Sequence, residues 1–416
     1  MPLLKALRLP HIALLLVSQV LSAIGDYFYS IAVIWIAVKT SGSAAGLVAA
    51  AEGAAAFCFG LPGGIYADRW NRRITMIVVD LTRAVMVLTL PILALNGLLQ
   101  FWHLVAVSFI IGAVGSLFDP ALQASLSALS ENDQGALQAT NALMDITRRL
   151  ARALGPTLVG LLVVFLPLEH LFTLDAVSFG VSALALLALG SRFAWKPVRA
   201  ERQIRGVRGL LAEAGESLGG VMKSPGLRAA LISSSLSSFT WSVTFIIGVP
   251  LLVARSLGNA IGLYGLIIGA YGVGNVLSNL IVGSLQIKRR VFTIYLGRLI
   301  IGLGFLFLAF ASNVPMALLA SFLASFGGPM GDIPEKMMIQ ELPAYQIGKV
   351  FGMFSTFEYV LYSLGLLVAV PLFALVNVRL GMAAGALLLL LVSLAGLAYT
   401  EIRAYVERSL QAKRST

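Results

Sequence analysis

FCFGLPGGIYADRWNRRITMIVVDLT, residues 57–82, sets two apolar runs on either side of a short turn that carries Asp68, Arg69, Arg72 and Arg73. A helix needs about 20 apolar residues to cross a hydrocarbon core about 30 Å thick. Both runs extend far enough for that, upstream to 44 and downstream to 95. Windows of the same kind recur near 12–37, 44–66, 74–95, 102–124, 139–165, 168–190, 228–253, 260–285, 291–311, 315–337, 347–375 and 378–401. The expected fold class is therefore an all-α polytopic membrane protein with twelve transmembrane helices. Strands of a membrane barrel run about 10 residues and alternate in polarity, whereas these runs are longer and continuous, so their backbone groups are satisfied only within helices. Composition agrees, with 58% apolar and 12% charged residues among 416. That charged share is about half of what a soluble domain carries.

The formal net charge of +11 raises the question of nucleic acid, and the placement of the basic residues answers it. With the amino terminus inside, one face collects Lys5, Arg8, Arg69, Arg72, Arg73, the cluster from Arg192 to Arg228, Lys288, Arg289, Arg290, Lys336, Lys349, Arg403, Arg408, Lys413 and Arg414. The opposite loops hold Lys39, Arg255 and Arg379. This asymmetry is the positive-inside pattern, which predicts both termini in the cytoplasm, an inner-membrane location and contact with anionic lipid headgroups. No nucleic-acid partner is expected. The segment from Lys5 to Val20 has the outline of a signal peptide, but its apolar run continues to Val38 and reads as the first span. Cys58, the single cysteine, lies within the second span and is expected to pack inertly. His11, His103 and His170 are far apart in sequence, so no metal site is expected, and no cofactor. No phosphate loop of the GxxxxGK type and no nucleophile elbow occurs, which argues against an enzyme.

The longest polar stretch, 191–226, divides the chain into an N-terminal bundle at 1–190 and a C-terminal bundle at 227–416. Within it GLLAEAGESLGGVMK, with Leu210, Leu211, Leu218, Val221 and Met222 among polar residues, predicts an amphipathic helix along the membrane face. An internal repeat supports two pseudo-symmetric six-helix bundles. Gly46, Gly53 and Gly64 recur as Gly265, Gly272 and Gly283 at the same spacing, and Asp80 and Arg83 in VDLTRA are echoed by Tyr295 and Arg298 in YLGRLI. Halves that rock about a central site are a transporter architecture.

At GGIYADRWNRR the chain resembles the major facilitator superfamily, whose signature there is a glycine, then DR, then a basic pair; Gly64, Asp68, Arg69, Arg72 and Arg73 match it. The resemblance implies a cytoplasmic gate that latches the outward-facing state. Gly64 would let helices approach, and Asp68 would pair with arginines or cap a helix amino terminus. Read without the resemblance, the same residues make a basic turn that only sets topology. Further stretches resemble the twelve-span drug:proton antiporter branch that includes macrolide and siderophore exporters. They are SAIGDYFYSIAVIWIAVKTSGSA, VDLTRA, FDPAL, ATNAL with LGP, LDAVSFGVSAL and IPEKMMIQELPAYQIGKVFG, in that order. The chain also departs from that branch. Gly155 and Pro156 open a GPxxGG signature that Val159 interrupts, and Ile111 stands where an arginine is common midway along the fourth span. The second copy of the gate, GSLQIKRR, has Ile287 in place of an acid, so unequal gates are expected.

A lone charge at the bilayer centre costs about 2.5–3.5 kcal/mol even on a lenient scale, so charges within the spans ask for a role. Asp26, Glu52, Asp145 and Glu358 are the candidates for proton coupling, by the family resemblance above all Asp26. Asp145, Arg149 and Arg152 share a helix face, and Arg148 competes for Asp145; the set fits either a moving ion-pair ladder or a static lock. Asp119, before Pro120, corresponds in the resemblance to the acid that meets the gate arginines. Asp80 with Arg83 reads as a structural pair, and Asp175 has no assigned role. Asp26, Trp241, Phe326, Glu358 and Tyr362 are expected to line a substrate cavity. The expected function is secondary active export of an amphipathic drug-like or metabolite compound by proton antiport, as a monomer. The alternatives are export of a siderophore or a lysophospholipid on the same fold and, more remotely, a membrane sensor that transports nothing.

Overall fold

The computed structural model describes residues 9–129, 134–190, 215, 218–258 and 260–415, with the side chains at 60–69, 145, 149 and 402–415 among those outside the description. Among the described residues, twelve long helices follow the apolar windows. They are α1 Pro10–Ser41, α2 Gly46–Arg69, α3 Arg72–Leu95, α4 Phe101–Leu129, α5 Gln134–Leu162 and α6 Glu169–Leu189. Then come α7, running through Pro225–Thr240, Trp241–Gly248 and Val249–Ser256; α8 Ile261–Ser284; α9 Arg290–Ala309; α10, in two parts, Val314–Ser325 and Gly327–Gln340; α11 Ala344–Leu375; and α12 Val378–Ser415. Among the described residues, ten stretches are long and apolar enough to cross a membrane; the first joins α1 to α2 through a short 3-10 turn. The helix left out is α5, which carries Asp145, Arg148, Arg149 and Arg152.

Local chemistry sets the ends. Pro10, Pro225 and Pro315 stand in first turns, where no N–H is needed. Asn71 and Asn313 accept from the backbone of Ile74 and Met316, capping α3 and α10. Only Trp70 and Asn71 separate α2 from α3. In the middle of α7 the backbone widens to a π-helix over Trp241–Gly248, immediately before Pro250. A proline withholds its N–H from a carbonyl in the preceding turn, and single π turns are a known way for a helix to re-space its bonds.

Contacts divide the chain into two units, one of residues 1–203 with 260–269 and one of 204–259 with 270–416. In the first, α1 packs on α5 and α6, α2 on α4, and α3 on α4 and α6. In the second, α7 packs on α11 and α12, and α9 on α10 and α12. The pairings α1–α5, α3–α4 and α3–α6 thus return as α7–α11, α9–α10 and α9–α12, which gives the sequence repeat a structural form. Lipid removes the hydrophobic drive for helices to associate, leaving close packing to hold them. Accordingly α9 and α10 meet at Gly297 and Gly327, where a β-carbon on Gly297 would stand 2.5 Å from the Gly327 carbonyl oxygen.

Each unit has its own core. Ile12, Leu15, Met76, Leu122, Leu126 and Leu186 form one, Val221, Leu227, Ile294, Ile339 and Phe354 another. The second corrects an expectation. Of the predicted amphipathic segment, Leu210 and Leu211 lie outside the described residues, but Val221 is buried in protein with Leu218 and Met222 packed beside it. That part of its apolar face covers α7, α9, α10 and α11 rather than lipid. Cys58 is also not packed inertly: its side chain is exposed.

Candidate functional site

In the first unit the sequence places an arginine on α3 with no acid in the preceding turn except Asp80, three residues back. The fold brings three more. Arg83 interacts electrostatically with Asp26 of α1, Glu52 of α2, Asp80 of its own helix and Asp175 of α6. The guanidinium is held by what α4 lacks: a β-carbon at Gly115 would occupy the place of Arg83 Nη2. The rings of Phe118 and Phe179 lie 5.6 Å and 5.4 Å from its central carbon, within the reach of cation–π attraction. Asp80 is fully buried, its carboxylate oxygens meet no donor at hydrogen-bond geometry, and Ser182, which itself accepts from Gln19 at 3.2 Å, is the hydroxyl that faces it.

Close approaches bind the surrounding helices to this centre. A β-carbon at Gly25 would come 2.5 Å from Asp175 Oδ1, so α1 lies directly on α6 one residue before Asp26. Gly112 of α4 meets the backbone of Glu52. Tyr29, one turn beyond Asp26, shares a 2.7 Å hydrogen bond with Ser108 and faces Glu52 and Asp175. Four carboxyl groups around one guanidinium contain more acid than base. Asp80 and Asp175 are buried, Glu52 and Arg83 are half-buried and Asp26 is exposed. Excess charge is costly at the buried members, and the chemistry open to the group is to take up and release a proton or to receive a cation.

The gate-motif residues divide. The side chains of Gly64, Asp68 and Arg69 lie outside the described residues. Arg73 donates to the carbonyls of Leu186 and Leu187, at 2.8 Å and 2.7 Å, and so closes the end of α6; Arg72 is half-buried at the start of α3. Asp119, expected beside the gate arginines, has its ion pair with Arg148 of α5 at 3.4 Å, both side chains well exposed. That pair engages Arg148 elsewhere than in the ladder expected of α5; Arg152 is exposed, and the side chains of Asp145 and Arg149 are outside the described residues. Gly155 packs on the Tyr27 ring, 2.7 Å from its β-carbon to a β-carbon placed there. Farther along α5, a β-carbon on Gly265 would stand 2.9 Å from the Gly160 nitrogen and 3.0 Å from the Pro156 oxygen. The broken glycine signature therefore still lets backbones meet at Gly160.

The second unit repeats the arginine's seat. Arg298 of α9 lies on Gly331 of α10, where a β-carbon would stand 2.6 Å from its Cζ. It donates to Asp332 at 3.1 Å and interacts with Glu335 of α10 and Glu358 of α11. Both glutamates face Ser234 of α7. Of these, sequence reasoning singled out Glu358 and noted Arg298; it passed over Glu335 and Asp332. The missed signal is an extension of the repeat by one helix: Gly112, Gly115 and Asp119 have the spacing of Gly328, Gly331 and Glu335.

Trp241 stacks on Phe245 at 4.2 Å and meets Tyr271 at 4.7 Å and Phe305 at 5.9 Å, half-buried in an aromatic cluster on the π segment of α7. Phe326 lies 5.3 Å from Phe322 at the join of the two parts of α10, and Tyr362 is half-buried on α11. Phe357 packs on the core of its unit, and Tyr359 is exposed.

A family model described as transmembrane secretion effector matches residues 3–400. The multidrug efflux pump Tap of Mycolicibacterium fortuitum is 25% identical over 369 residues, covering 86% of this chain and 88% of the relative. An uncharacterized MFS-type transporter of Bacillus subtilis (strain 168), YfiS, is 24% identical over 349 residues, 81% of each chain. Among solved structures, the POT family transporter PepTSo is similar over 96% of this chain and 98% of its own, with a TM-score of 0.71 at 14% identity. The nucleoside transporter NupG is similar over 92% and 99%, with a TM-score of 0.70 at 15% identity. At such identities the structures speak to the fold alone.

Proposed function

Because the chain belongs to the transmembrane secretion effector family and is a membrane transporter of the major facilitator type, we propose that it exports amphipathic organic compounds in exchange for protons. Access alternates as the two six-helix halves rock, with both termini in the cytoplasm and Asp26 as the carboxyl group that carries the exchanged proton. The observation that carries this reading is the group of Asp26, Glu52, Asp80 and Asp175 around Arg83. Asp80 and Asp175 are buried, Glu52 is half-buried and Asp26 is exposed; carboxyl groups crowded around one base gain or lose a proton more cheaply than they hold excess charge. The similarity to an efflux pump supports the outward direction.

The arginine that the drug:proton branch places midway along α4 is missing at Ile111. Its charge is supplied from α3, since Arg83 rests on Gly115, one turn further along α4. Protonation of Asp26 removes a negative charge facing Arg83 and Glu52, which weakens the hold of Arg83 on α1. Deprotonation restores it. A carboxyl group that ties α1 to α3 in one charge state only is a means of coupling proton movement to helix movement.

In everted vesicles, ethidium uptake driven by a pH gradient is expected to collapse when the gradient is dissipated and to fall at least tenfold in Asp26→Asn. Uptake that persists without a gradient refutes proton exchange. Undiminished uptake in the variant refutes the role of Asp26.

A further inference from the structure

We propose that Glu335 and Glu358 form a second proton-binding site, in the second unit, where one proton is shared between the two carboxyl groups across Ser234. The inference rests on the reading of the chain as a proton-exchanging transporter and adds to it a second exchange site built from other helices.

Three features of the geometry point here. First, the carboxyl groups come from α10 and α11, which pack on each other and on α7, and both interact with one another and with the Ser234 hydroxyl of α7, which itself donates to the Leu231 carbonyl at 3.4 Å. Second, Glu335 is 8% exposed, and its Oε2 is buried with no hydrogen-bond partner. An acceptor left open in an apolar place costs about 1–3 kcal/mol, and a proton between two carboxyl groups removes that cost. Third, the nearby base Arg298 spends a hydrogen bond on Asp332, at 3.1 Å, and is shared among three acids, so it does not balance both glutamates. The groups that face Glu335 are Arg298, Glu358, Asp332 and Ser234; those that face Glu358 are Ser234, Arg298, Asp332 and Lys336. Two adjacent carboxyl groups titrate as a pair and hold their first proton jointly.

The step is a proton transfer alone. One carboxyl O–H breaks, the proton leaves to water, the pair is left with one added negative charge, and no other bond changes. The seat of Arg298 on Gly331 repeats that of Arg83 on Gly115, so each half holds an arginine beside acids in the same manner. Two such sites would move two protons in each cycle.

The test is infrared difference spectroscopy of the purified full-length protein, recorded while the pH is stepped across the neutral range. It reads the carbonyl stretch of a protonated carboxyl group without any cargo. Wild type is expected to lose such a band as the pH rises. Because the proton is shared, Glu335→Gln and Glu358→Gln should each remove that component, whereas Glu335→Asp should keep it, shifted, and so report on the site in a conservatively altered protein. Asp26→Asn should leave it in place, so a failure of the first site is separable from a failure of this one. Identical difference spectra in wild type and Glu335→Gln would overturn the proposal. So would a band that vanishes when choline is replaced by sodium at constant pH, since the pair would then be a metal-cation site.

Discussion

Replacing Arg83 by glutamine tests whether the acids of the first unit are held by that one base. The seat on Gly115 stays, and glutamine fills part of it, but four carboxyl groups lose the guanidinium they face. Removing one member of a fully buried ion pair costs about 3–5 kcal/mol, and Arg83, which is half-buried, should lie at the low end of that range. The ring contacts of Phe118 and Phe179, at 5.6 Å and 5.4 Å, are lost with it, each worth about 0.5–2 kcal/mol. These contributions overlap, and about 4 kcal/mol is the working figure for Arg83→Gln. Most of that cost is uncompensated charge, so neutralising an acid should return part of it. Asp80→Asn is the natural choice, as the aspartate is 0% exposed and its oxygens meet no hydrogen-bond donor. The double variant should recover about 2 kcal/mol, while Asp80→Asn alone should cost less than about 1 kcal/mol, giving a coupling of a size double-mutant cycles resolve. The assay is reversible unfolding in mixed micelles titrated with dodecyl sulfate, followed by tryptophan fluorescence. A loss below about 1 kcal/mol in Arg83→Gln, or strict additivity in the double variant, would refute the reasoning.

Arg73→Ala should loosen the end of α6, since its bonds to the Leu186 and Leu187 carbonyls vanish; a hydrogen bond from a charged donor is worth about 1.5–3 kcal/mol. Faster amide exchange at residues 187–190, with α6 otherwise protected, is the expected readout, and unchanged exchange there would remove Arg73 as a closing residue. Outside the spans, the paired hydrogen bonds from Arg290 hold the Glu341 carboxyl below its ordinary value. A carboxylate lowered in this way stabilises the fold above its ordinary value, about 4.3, and that contribution is lost as the pH falls through the lowered one. Arg290→Gln should therefore move the Glu341 titration upward to the ordinary value in carbon NMR of labelled protein. An unmoved titration would show that the pair does not persist in solution.

Long apolar windows are legible because lipid tolerates one backbone solution; among the described residues each expected span falls on a helix, most with ends shifted by a few residues and the last running on from 401 to Ser415. The turn at Trp70 and Asn71 was placed but drawn too long, because the Asn71 cap lets α3 start at Arg72 rather than near 74. Individual acids were also legible, since any charge inside a span stands out against its neighbours. Their grouping was not. Asp80 and Arg83, three residues apart, read as a local pair, but the other acids facing Arg83 come from α1, α2 and α6, and hydropathy does not say which helices are neighbours. Glu335 was passed over for a related reason: it lies near the end of a window, where a charge is unremarkable, and the packing of α10 against α7, α9 and α11 buries it. Val221 shows the converse, an apolar position visible in the segment whose partner, protein rather than lipid, had no signature there.

The seats of Arg83 and Arg298 are made by Gly115 and Gly331, that is, by side chains that are not there. Truncation scanning, which asks what is lost when atoms are removed, passes over both positions in silence. A scan that adds a methyl group instead, at every glycine in turn, would find them, because Gly115→Ala and Gly331→Ala must each displace a guanidinium from its resting place. In this chain the seats of two arginines are recorded as missing side chains, and only substitutions that fill them will bring them to light.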